Sequence, residues 1–291
     1  MRVRAAVPAT VANLGPGFDS MALAVDLANH VMVDTDAQPG VEVRGEGAGE
    51  LPEDASNLVF RAMAYLAREA GGALPPFRLS SDNGIPLERG LGSSAAAVVA
   101  GLQLADRLLG TGLDADRLLE VAVDIEGHPD NVAACLRGGV VVVYLGRDGW
   151  RAERLEPHPG LRPVLLVPAH ERLSTADARR MLPREVPLSD AAFNAGRVAL
   201  AVLALTARPD LLGEALEDRL HQARRLPLVP SSRALFEDLR EAGVPVCVAG
   251  AGPSLLAFDT DRARAPDLGP GWRVIRTRVL TEGATVIEEP G

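Results

Sequence analysis

The sequence Pro86-Leu-Glu-Arg-Gly90-Leu-Gly92-Ser93-Ser94-Ala95-Ala96-Ala97 joins a polar loop to a long alanine-rich run. Apolar residues recur in that run at helical spacing, which predicts a helix from Ser94 to about Leu109 with Ser93 or Ser94 as its N-cap. Glycines before a helix let the backbone approach a ligand, and the first helical turn presents unpaired N–H groups. The stretch therefore predicts either a phosphate site or a simple capped helix after a tight turn.

Composition limits the classes of protein that fit. The chain has 291 residues, of which 47% are hydrophobic, enough for a large core in one or two domains. A net charge of −9 argues against nucleic acid and against an anionic membrane as partners. Cys135 and Cys247 lie in apolar surroundings without metal-ligand spacing, which favours buried thiols in a reducing compartment. The N-terminus has no signal-like core, and the most apolar helical stretch, Val198–Ala207, is too short to span a bilayer. A cytoplasmic location is therefore expected.

The chain contains no lysine, since all 30 of its lysine and arginine positions are arginine. This absence excludes more classes of enzyme than the overall composition does. Without lysine no Schiff base can form on the protein, so pyridoxal enzymes and lysine-dependent aldolases are excluded. The glycine loop cannot be a Walker A motif, and a protein-kinase fold would lack its strand lysine. If the loop holds phosphate, backbone amides, the helix end, serine hydroxyls, arginine and a metal ion must do so.

Two further segments combine turn residues with polar groups. Pro8-Ala-Thr-Val-Ala-Asn13-Leu-Gly-Pro-Gly-Phe-Asp19 is either a turn-rich loop with an N-cap or a loop that contacts a small ligand. Glu126-Gly-His-Pro-Asp130-Asn131-Val132 lies within an otherwise apolar region. There Glu126 could hold Mg²⁺, and Asp130 could accept a proton from a hydroxyl or only orient it. The alternative is a helix–helix turn with Asp130 as a cap; the clustering of four polar residue types favours a site.

The pattern of elements predicts two α+β domains. The predicted strands are Arg2–Pro8, Met21–Asn29, Val31–Thr35, Val41–Arg44, Phe77–Ser81, Gly138–Tyr144, Leu161–Val167, Val244–Ala249, Leu255–Phe258, Trp272–Leu280 and Ala284–Ile287. Besides the run after Ser94, the predicted helices are Asn57–Glu69, Asp114–Glu126, one that begins near Ser174, Ser189–Ala207, Pro209–Leu220 and Ser232–Ala242. A charged segment at residues 147–159 places the boundary between domains 1–150 and 151–291, the second of split βαβ type.

The second domain carries its own candidates. Gly250-Ala-Gly252-Pro-Ser254 is a third glycine-rich loop between two predicted strands. Thr175 and Arg179 lie one turn apart on a predicted helix. Arginines at positions 224 and 225 either complement a helix dipole or bind a carboxylate.

These motifs, in this order, resemble the GHMP kinase superfamily, which includes galactokinase, homoserine kinase, mevalonate kinase and phosphomevalonate kinase. The three glycine-rich motifs correspond to Pro8–Asp19, Gly90–Ala96 and Ala249–Leu255, and the resemblance covers nearly the whole chain. It implies a two-domain α+β fold, with an N-terminal ribosomal-protein-S5-like ATP-binding domain and a C-terminal ferredoxin-like domain.

Within the superfamily, homoserine kinases are the most similar. Ala12–Asp19, Glu126–Val132 and Leu173–Thr175 with Arg179 carry that likeness. The missing lysine agrees with it, since galactokinase and mevalonate kinase relatives carry a basic residue in the first motif. Where the family often reads Glu-Pro-Tyr-Arg, this chain reads Gln-Ala-Arg224-Arg225. We align Arg225 with the family's arginine and keep Arg224 as an alternative.

The resemblance implies roles for individual residues. The ATP-binding set comprises Asn57, near the purine, and Pro86, Leu87, Glu88, Arg89, Gly90, Leu91, Gly92, Ser93, Ser94, Ala95 and Ala96. Ser94 and Glu126 would hold Mg²⁺. The amino-acid-binding set comprises Asn13, Asp19, His128, Asp130, Asn131, Thr175, Arg179, Arg225, Gly250 and Gly252. Asp130, Asn131 and Arg225 form the implied catalytic group.

The implied reaction is in-line transfer of the γ-phosphoryl group from MgATP to the hydroxyl of L-homoserine, giving O-phospho-L-homoserine for threonine biosynthesis. ATP and L-homoserine are thus the expected partners, and the family suggests a homodimer. A kinase for another small alcohol, such as shikimate, mevalonate or a sugar, remains an alternative, as does a sensor that keeps the fold without turnover. A Rossmann dehydrogenase is excluded, because no Gly-x-Gly-x-x-Gly turn follows the first strand.

Overall fold

Two β-sheets and the helices packed on them form the structure, a computed structural model that describes residues 1–289. The strands are β1 (Arg2–Ala12), β2 (Met21–Asp34), β3 (Gly40–Gly45), β4 (Arg78–Asn83), β5 (Val140–Gly146), β6 (Gly149–Leu155), β7 (Pro163–Pro168), β8 (Val246–Val248), β9 (Leu255–Phe258), β10 (Trp272–Arg276) and β11 (Thr285–Glu289). The helices are α1 (Leu58–Glu69), α2 (Ser93–Leu109), α3 (Ala115–Glu126), α4 (Pro129–Arg137), α5 (Thr175–Arg180), α6 (Leu188–Thr206), α7 (Leu212–Ala215), α8 (Gln222–Arg225) and α9 (Pro230–Glu241), with 3₁₀ turns at Pro209–Leu211 and Leu226–Leu228.

The first sheet has the order β11-β1-β2-β4-β3, and β5 pairs with both β2 and β6. All its pairs are antiparallel except β3 with β4. In β1 the residues Val3, Ala5 and Val7 alternate into the core and are fully buried, as expected of a strand with one covered face. The long β1–β2 pair ends at the first glycine-rich loop and so positions that loop at one end of the sheet.

Helix α2 is the central helix on this sheet, and it contacts β1, α1, α3 and α4. The alanine-rich sequence suits that place because small side chains allow close approach on every side. At Gly101 an added Cβ would lie 2.5 Å from the Val59 carbonyl oxygen of α1, so only glycine permits this helix–helix distance. The N-terminus of α2 is thereby held at the same end of the sheet as the first loop.

The second sheet has the order β10-β7-β9-β8, and all its neighbours are antiparallel. Since β9 lies between β7 and β8, and helices α5 to α9 connect those two strands, the arrangement is the predicted split βαβ unit. The mixture of segregated strands and helices confirms the predicted α+β class.

The first sheet takes strands from both sides of the boundary predicted at residue 150. Strand β6 spans that position as the second arm of a hairpin with β5, and β11 pairs with β1. The charged segment that suggested a linker is an edge hairpin, whose polar residues face solvent. The domain limits 1–150 and 151–291 stay a prediction, but the first sheet is not divided at that point.

Four element predictions were wrong. The strand predicted at Trp272–Leu280 ends at Arg276. Helix α2 starts at Ser93, and its N-cap is Gly92 in a left-handed conformation, so neither serine caps it. The strands predicted at Met21–Asn29 and Val31–Thr35 are one strand, β2. The helix predicted at Pro209–Leu220 ends at Ala215. The Asp218 carboxylate accepts hydrogen bonds from the N–H groups of Leu220, His221 and Gln222, which starts the separate helix α8.

Helix α6 begins at Leu188 and has 19 residues, so it is longer than the apolar stretch Val198–Ala207. Within residues 1–289 it is the one helix long and apolar enough to cross a membrane by length and composition, and 22% of its most apolar window is buried. Polar groups along it contact the segment after α7: Asn194 donates to Asp218, and Arg197 pairs with Glu217.

Candidate active site

The three glycine-rich loops and the Glu126–Asn131 segment meet around a cavity of about 250 Å³. Its wall includes Asn13, Asp19, Pro86, Glu88, Arg89, Gly90, Leu91, Gly92, Ser93, Ser94, Glu126, His128, Asp130, Asn131, Thr175, Arg179, Arg225 and Gly250. Five residues proposed from the sequence are not part of the wall: Asn57, Leu87, Ala95, Ala96 and Gly252. A larger cavity of about 940 Å³ between α6 and α9 contains none of the proposed residues.

Backbone contacts hold the three loops against one another. The Gly250 N–H donates to the Ala12 carbonyl, and the Thr10 N–H donates to the Leu91 carbonyl. Gly90 has a φ of +70°, and a Cβ added there would overlap the carbonyl oxygen of Ala249. Glycine is therefore required at residue 90 both by the conformation and by the close approach of the third loop.

The second loop presents the features of an anion site at the start of α2. Gly92 makes no side-chain cap, so the first-turn N–H groups lack the usual side-chain acceptor and point toward the cavity end of the helix. The Arg89 guanidinium donates to the carbonyls of Pro168 and Ala169 at the end of β7. Buried in this way, Arg89 ties the loop to the second sheet.

Two oxygen-bearing side chains lie together next to this loop. The Ser94 hydroxyl donates to the Glu126 carboxylate at 2.7 Å, and burial raises the pKa of Glu126. Within residues 1–289 no group of three or more His, Cys, Asp or Glu side chains could hold a metal ion. One carboxylate and one hydroxyl nevertheless fit Mg²⁺, which takes few protein ligands and completes its shell with phosphate oxygens and water.

The turn between α3 and α4 places Asp130 at the cavity. Gly127 ends α3 in a left-handed conformation, and Pro129 begins α4, so the chain reverses between Glu126 and Asp130. Asp130 is 3% exposed, and its only assigned partner among the described residues is the N–H of Asn131 at 2.8 Å. Burial, with the negative charge of Asp19, raises the pKa of Asp130 to about 7. A carboxyl group with such a pKa can exchange a proton near neutrality.

Thr10 orients the neighbouring Asn131. Its hydroxyl donates to Asn131 Oδ1 at 2.8 Å, which turns the Asn131 amide nitrogen away from Thr10. Gly92 completes the contact, because a Cβ there would overlap Thr10 Oγ1. Thr10 was not predicted as a site residue, although it stands within the quoted first motif; its partner lies 121 residues away.

Two oppositely charged side chains of the cavity wall form an ion pair. Arg179 Nη2 lies 2.6 Å from Asp19 Oδ1, and both side chains are about one-third exposed. The Phe18 ring contacts two guanidinium groups, with its centroid 5.6 Å from Arg179 Cζ and 5.4 Å from Arg225 Cζ. The ring attracts both cations. Phe18 was not predicted, although it stands within the quoted first motif.

Arg225 is a buried residue of the cavity wall, and one edge of its guanidinium group lacks a hydrogen-bond partner. Its Nη1 donates to the Gly250 carbonyl at 2.9 Å, while its Nε is buried without a partner. Burial lowers the pKa of Arg225 to about 10, which still leaves it charged at neutral pH. An unpaired Nε–Nη2 edge matches a carboxylate in a two-bond fork. Arg224 is exposed and is not part of the wall, so Arg225 is the candidate of the two.

Among the remaining proposed residues, Asn13 holds two of the loops together. Asn13 has a φ of +71°; it donates to the Gly250 carbonyl and accepts from the Asp19 N–H, so it joins the first and third loops. Asn57 is the N-cap of α1, with both amide atoms bonded to nearby backbone. Thr175 is the first residue of α5, behind the N-cap Ser174. Burial and the charge of Arg179 lower the pKa of His128.

Comparison with known proteins identifies the family. The GHMP kinases N terminal domain matches residues 57–139, and the GHMP kinases C terminal domain matches residues 200–272. The chain is 46% identical to the homoserine kinase of Streptomyces avermitilis, over 98% of this chain and 95% of that protein. It is 44% identical to that of Clavibacter michiganensis, over 98% and 88%.

A solved structure agrees with these sequence comparisons. The homoserine kinase of Cytophaga hutchinsonii superimposes with a TM-score of 0.83 at 29% identity, over 98% of this chain and 97% of that one. The resemblance inferred from the motifs is thus confirmed, and the chain is a phosphotransferase. This chain belongs to the GHMP kinases and, within them, to the homoserine kinase family.

Proposed function

We propose that this chain transfers the γ-phosphoryl group of ATP to the side-chain hydroxyl of L-homoserine, and that the reaction takes place in this cavity. The reaction would serve threonine biosynthesis. The observation that carries this proposal is that one cavity wall brings three kinds of group together. The Gly90–Ser94 loop, the Asp130–Asn131 pair, and the Asp19, Arg179 and Arg225 side chains all line it. Such a wall offers groups for a phosphate donor, a reacting hydroxyl and a zwitterion.

The proposed amino-acid site would select a zwitterion, because the two charges of the substrate replace the ion pair between Asp19 and Arg179. Asp19 and Arg179 pair with each other at 2.6 Å. An ammonium group on Asp19 and a carboxylate on Arg179 and Arg225 would replace that pair without leaving either charge unpaired. A ligand with only one of the two charges would open the pair and leave one side chain without a partner, which is costly in a partly buried site.

The zwitterion proposal predicts how substrate analogues rank. We expect 4-hydroxybutyrate, which lacks the ammonium group, and 3-amino-1-propanol, which lacks the carboxylate, to show kcat/KM at least about tenfold to hundredfold below that of L-homoserine. Asp19→Asn should narrow the gap between L-homoserine and 4-hydroxybutyrate, because the ammonium then loses its charged partner. Steady-state ADP release measures both ratios. An unchanged gap in Asp19→Asn would refute the assignment of the ammonium group to Asp19.

The phosphate end would bind ATP mainly through the backbone. With no lysine in the chain, the α2 N-terminus, the loop N–H groups and the Ser93 and Ser94 hydroxyls are the groups available to the phosphates. Ser94 and Glu126 would hold Mg²⁺, which neutralises phosphate charge when bound. The proposed contribution of this chain is positioning and stabilisation of charge, which is what phosphoryl transfer requires.

Glu126→Gln tests the metal assignment. The variant keeps an oxygen ligand but loses the charge, so the Mg²⁺ concentration for half-maximal rate should rise about tenfold or more. A magnesium titration of ADP release at saturating L-homoserine and ATP measures it. Asp124→Asn, an exposed carboxylate on the same helix, is the matched control and should leave the titration unchanged. A Glu126→Gln titration that overlays the wild-type curve would remove Glu126 from the metal site.

At the reacting hydroxyl, Asp130 is the proposed proton acceptor. Its buried carboxyl would take the hydroxyl proton as the bond to phosphorus forms, and the Asn131 amide nitrogen, oriented by Thr10, would donate to the reacting oxygens. A panel of L-homoserine, L-threonine, shikimate and mevalonate with MgATP tests the function as a whole. Homoserine-dependent ADP release with a new phosphomonoester signal in ³¹P NMR is expected. Turnover with another alcohol only would replace the proposed substrate.

We also propose a cytoplasmic location without membrane insertion, because α6 carries Asp190 and Arg197 and makes polar contacts with the segment after α7. The homodimer suggested by the family resemblance is a further proposal. Sedimentation of the full chain at micromolar concentration measures the oligomeric state, and fractionation of cells that express it measures the location.

A further inference from the structure

His221 is a buried side chain to which neither the sequence motifs nor the proposed mechanism give a role. It directly precedes α8 and is 1% exposed. Its Nε2 lies 2.7 Å from the Gly15 carbonyl oxygen in the first loop, and its Nδ1 lies 3.2 Å from Arg225 Nη1. Its ring also packs against Phe18, with centroids 5.4 Å apart. The imidazole therefore bridges the first loop and the arginine proposed for the substrate carboxylate.

The two partners fix one protonation state of the ring. A backbone carbonyl only accepts hydrogen bonds, so Nε2 must carry the proton. A guanidinium only donates, so Nδ1 must offer its lone pair to Arg225. The charged groups that face the ring are Arg225, Asp218 and Asp19. Burial and the charge of Arg225 outweigh the carboxylates and lower the pKa of His221 to about 4, which agrees with a neutral ring.

The bridge leaves Arg225 with one defined free edge. Both acceptors found for Arg225, His221 Nδ1 and the Gly250 carbonyl, engage Nη1. The Nε atom stays buried without a partner in the described part of the chain. Because a guanidinium is planar, fixing Nη1 on two sides also sets the plane of the Nε–Nη2 edge of this cavity-lining residue.

We propose that His221, as the neutral Nε2–H tautomer, is a positioning residue that aims the free edge of Arg225 at the substrate carboxylate. This inference rests on the proposed function, since it takes Arg225 as the carboxylate ligand. It makes the affinity for the amino acid, and not for ATP, dependent on a side chain that touches neither substrate. The link through Gly15 also couples Arg225 to the loop that carries Asp19.

Two variants separate the two contacts of the ring. His221→Asn places an oxygen near the position of Nδ1 and can still accept from Arg225, whereas His221→Gln places its amide near Nε2 and keeps only the Gly15 contact. We expect His221→Gln to raise the KM for L-homoserine about tenfold, which corresponds to about 1.4 kcal/mol. His221→Asn should raise it less than about threefold, and the KM for ATP should stay within about twofold in both variants.

A merely structural role would give a different pattern. It would raise both KM values together, or raise them in proportion to the loss in thermal stability of each variant. In an Arg225→Ala background, His221→Gln should have no further effect on the KM for L-homoserine, because there is no guanidinium left to aim. Equal KM values for the Asn and Gln variants, or a full His221→Gln effect without Arg225, would overturn the proposal.

The protonation state can be measured on the wild-type protein without turnover. With ¹⁵N-labelled histidine, His221 is assigned by its absence from the His221→Asn spectrum among the five histidines. Imidazole nitrogen shifts of the neutral Nε2–H form are expected from pH 8 down to about 5. An imidazolium or an Nδ1–H tautomer at pH 7 would overturn the inference about His221. Lack of homoserine turnover by the wild-type protein would instead count against the proposed function.

Discussion

Replacing Asp130 with asparagine is expected to lower kcat by roughly 10²–10⁴-fold, because the variant keeps the shape of the side chain but cannot accept a proton. The structure supports that expectation through burial: the carboxyl is 3% exposed and its pKa is raised to about 7. Wild-type kcat/KM should therefore rise with pH up to about 7 and then level off. In Asp130→Asn this rise should be absent.

The same substitution should stabilise the protein at high pH. The folded-state pKa of Asp130, about 7, lies above the ordinary 3.8, so the folded state binds the extra proton between these values. The free energy of unfolding therefore falls as pH rises from about 4 to 7, and the cost of the buried charge persists above pH 7. We expect the free energy of unfolding of Asp130→Asn to exceed that of wild type by about 1–3 kcal/mol at pH 8, with little difference at pH 4.

These opposite effects on rate and stability separate a buried base from a packing residue. Urea unfolding at pH 4 and pH 8, and pH profiles of kcat and kcat/KM over the same range, are the measurements. The exposed Asp124→Asn should change neither. A loss of kcat below tenfold in Asp130→Asn would reduce Asp130 to a group that only orients the hydroxyl. A variant less stable than wild type at pH 8 would contradict the proposed cost of the buried charge.

Gly90→Ala is expected to abolish most activity and to destabilise the fold. Residue 90 has a φ of +70°, and an added methyl group would overlap the Ala249 carbonyl oxygen and crowd the backbone of Gly252. The left-handed strain and the overlap together should cost about 3 kcal/mol of unfolding free energy. Because the phosphate loop must move away from the third loop, kcat/KM for ATP should fall about a hundredfold or more.

Gly110→Ala is the matched control for this prediction. Gly110 has a φ of +65° at the C-cap of α2, but nothing lies within 4 Å of an added Cβ. The control should cost only the strain of the left-handed conformation, about 1 kcal/mol, and should leave kcat/KM unchanged. Equal losses of unfolding free energy in the two variants would contradict this prediction. They would mean that the contact between Gly90 and the third loop adds no cost to that of the left-handed conformation.

Much of the fold could be predicted from periodicity, because buried faces repeat along each element. The alanine-rich run of α2 is explained by a closely packed helix. The alternation in β1 is explained by a strand with one covered face. The edge hairpin at β6 was missed because an edge strand can be polar on its outer face and then resembles a linker. The break after Ala215 was missed because Asp218 gathers three backbone N–H groups, which no propensity encodes.

The candidate site could be predicted where a motif holds several polar residues in one segment, and not where partners are distant in sequence. Asp19, Asp130 and Arg179 came from such motifs and line one cavity. The contacts of Thr10 with Asn131 and of His221 with Gly15 join residues 121 and 206 positions apart. Only the three-dimensional packing of the loops brings these pairs together, and a single sequence gives no signal for them.

A crystal structure of the full chain with L-homoserine and a non-hydrolysable ATP analogue tests the central claim most directly. We expect the carboxylate on Arg179 and Arg225, the ammonium group on Asp19, and the hydroxyl oxygen within hydrogen-bond distance of Asp130. The γ-phosphate of the analogue should lie beside the Gly90–Ser94 loop. Homoserine bound in the reverse orientation, or in the larger cavity between α6 and α9, would contradict the proposed function of this cavity.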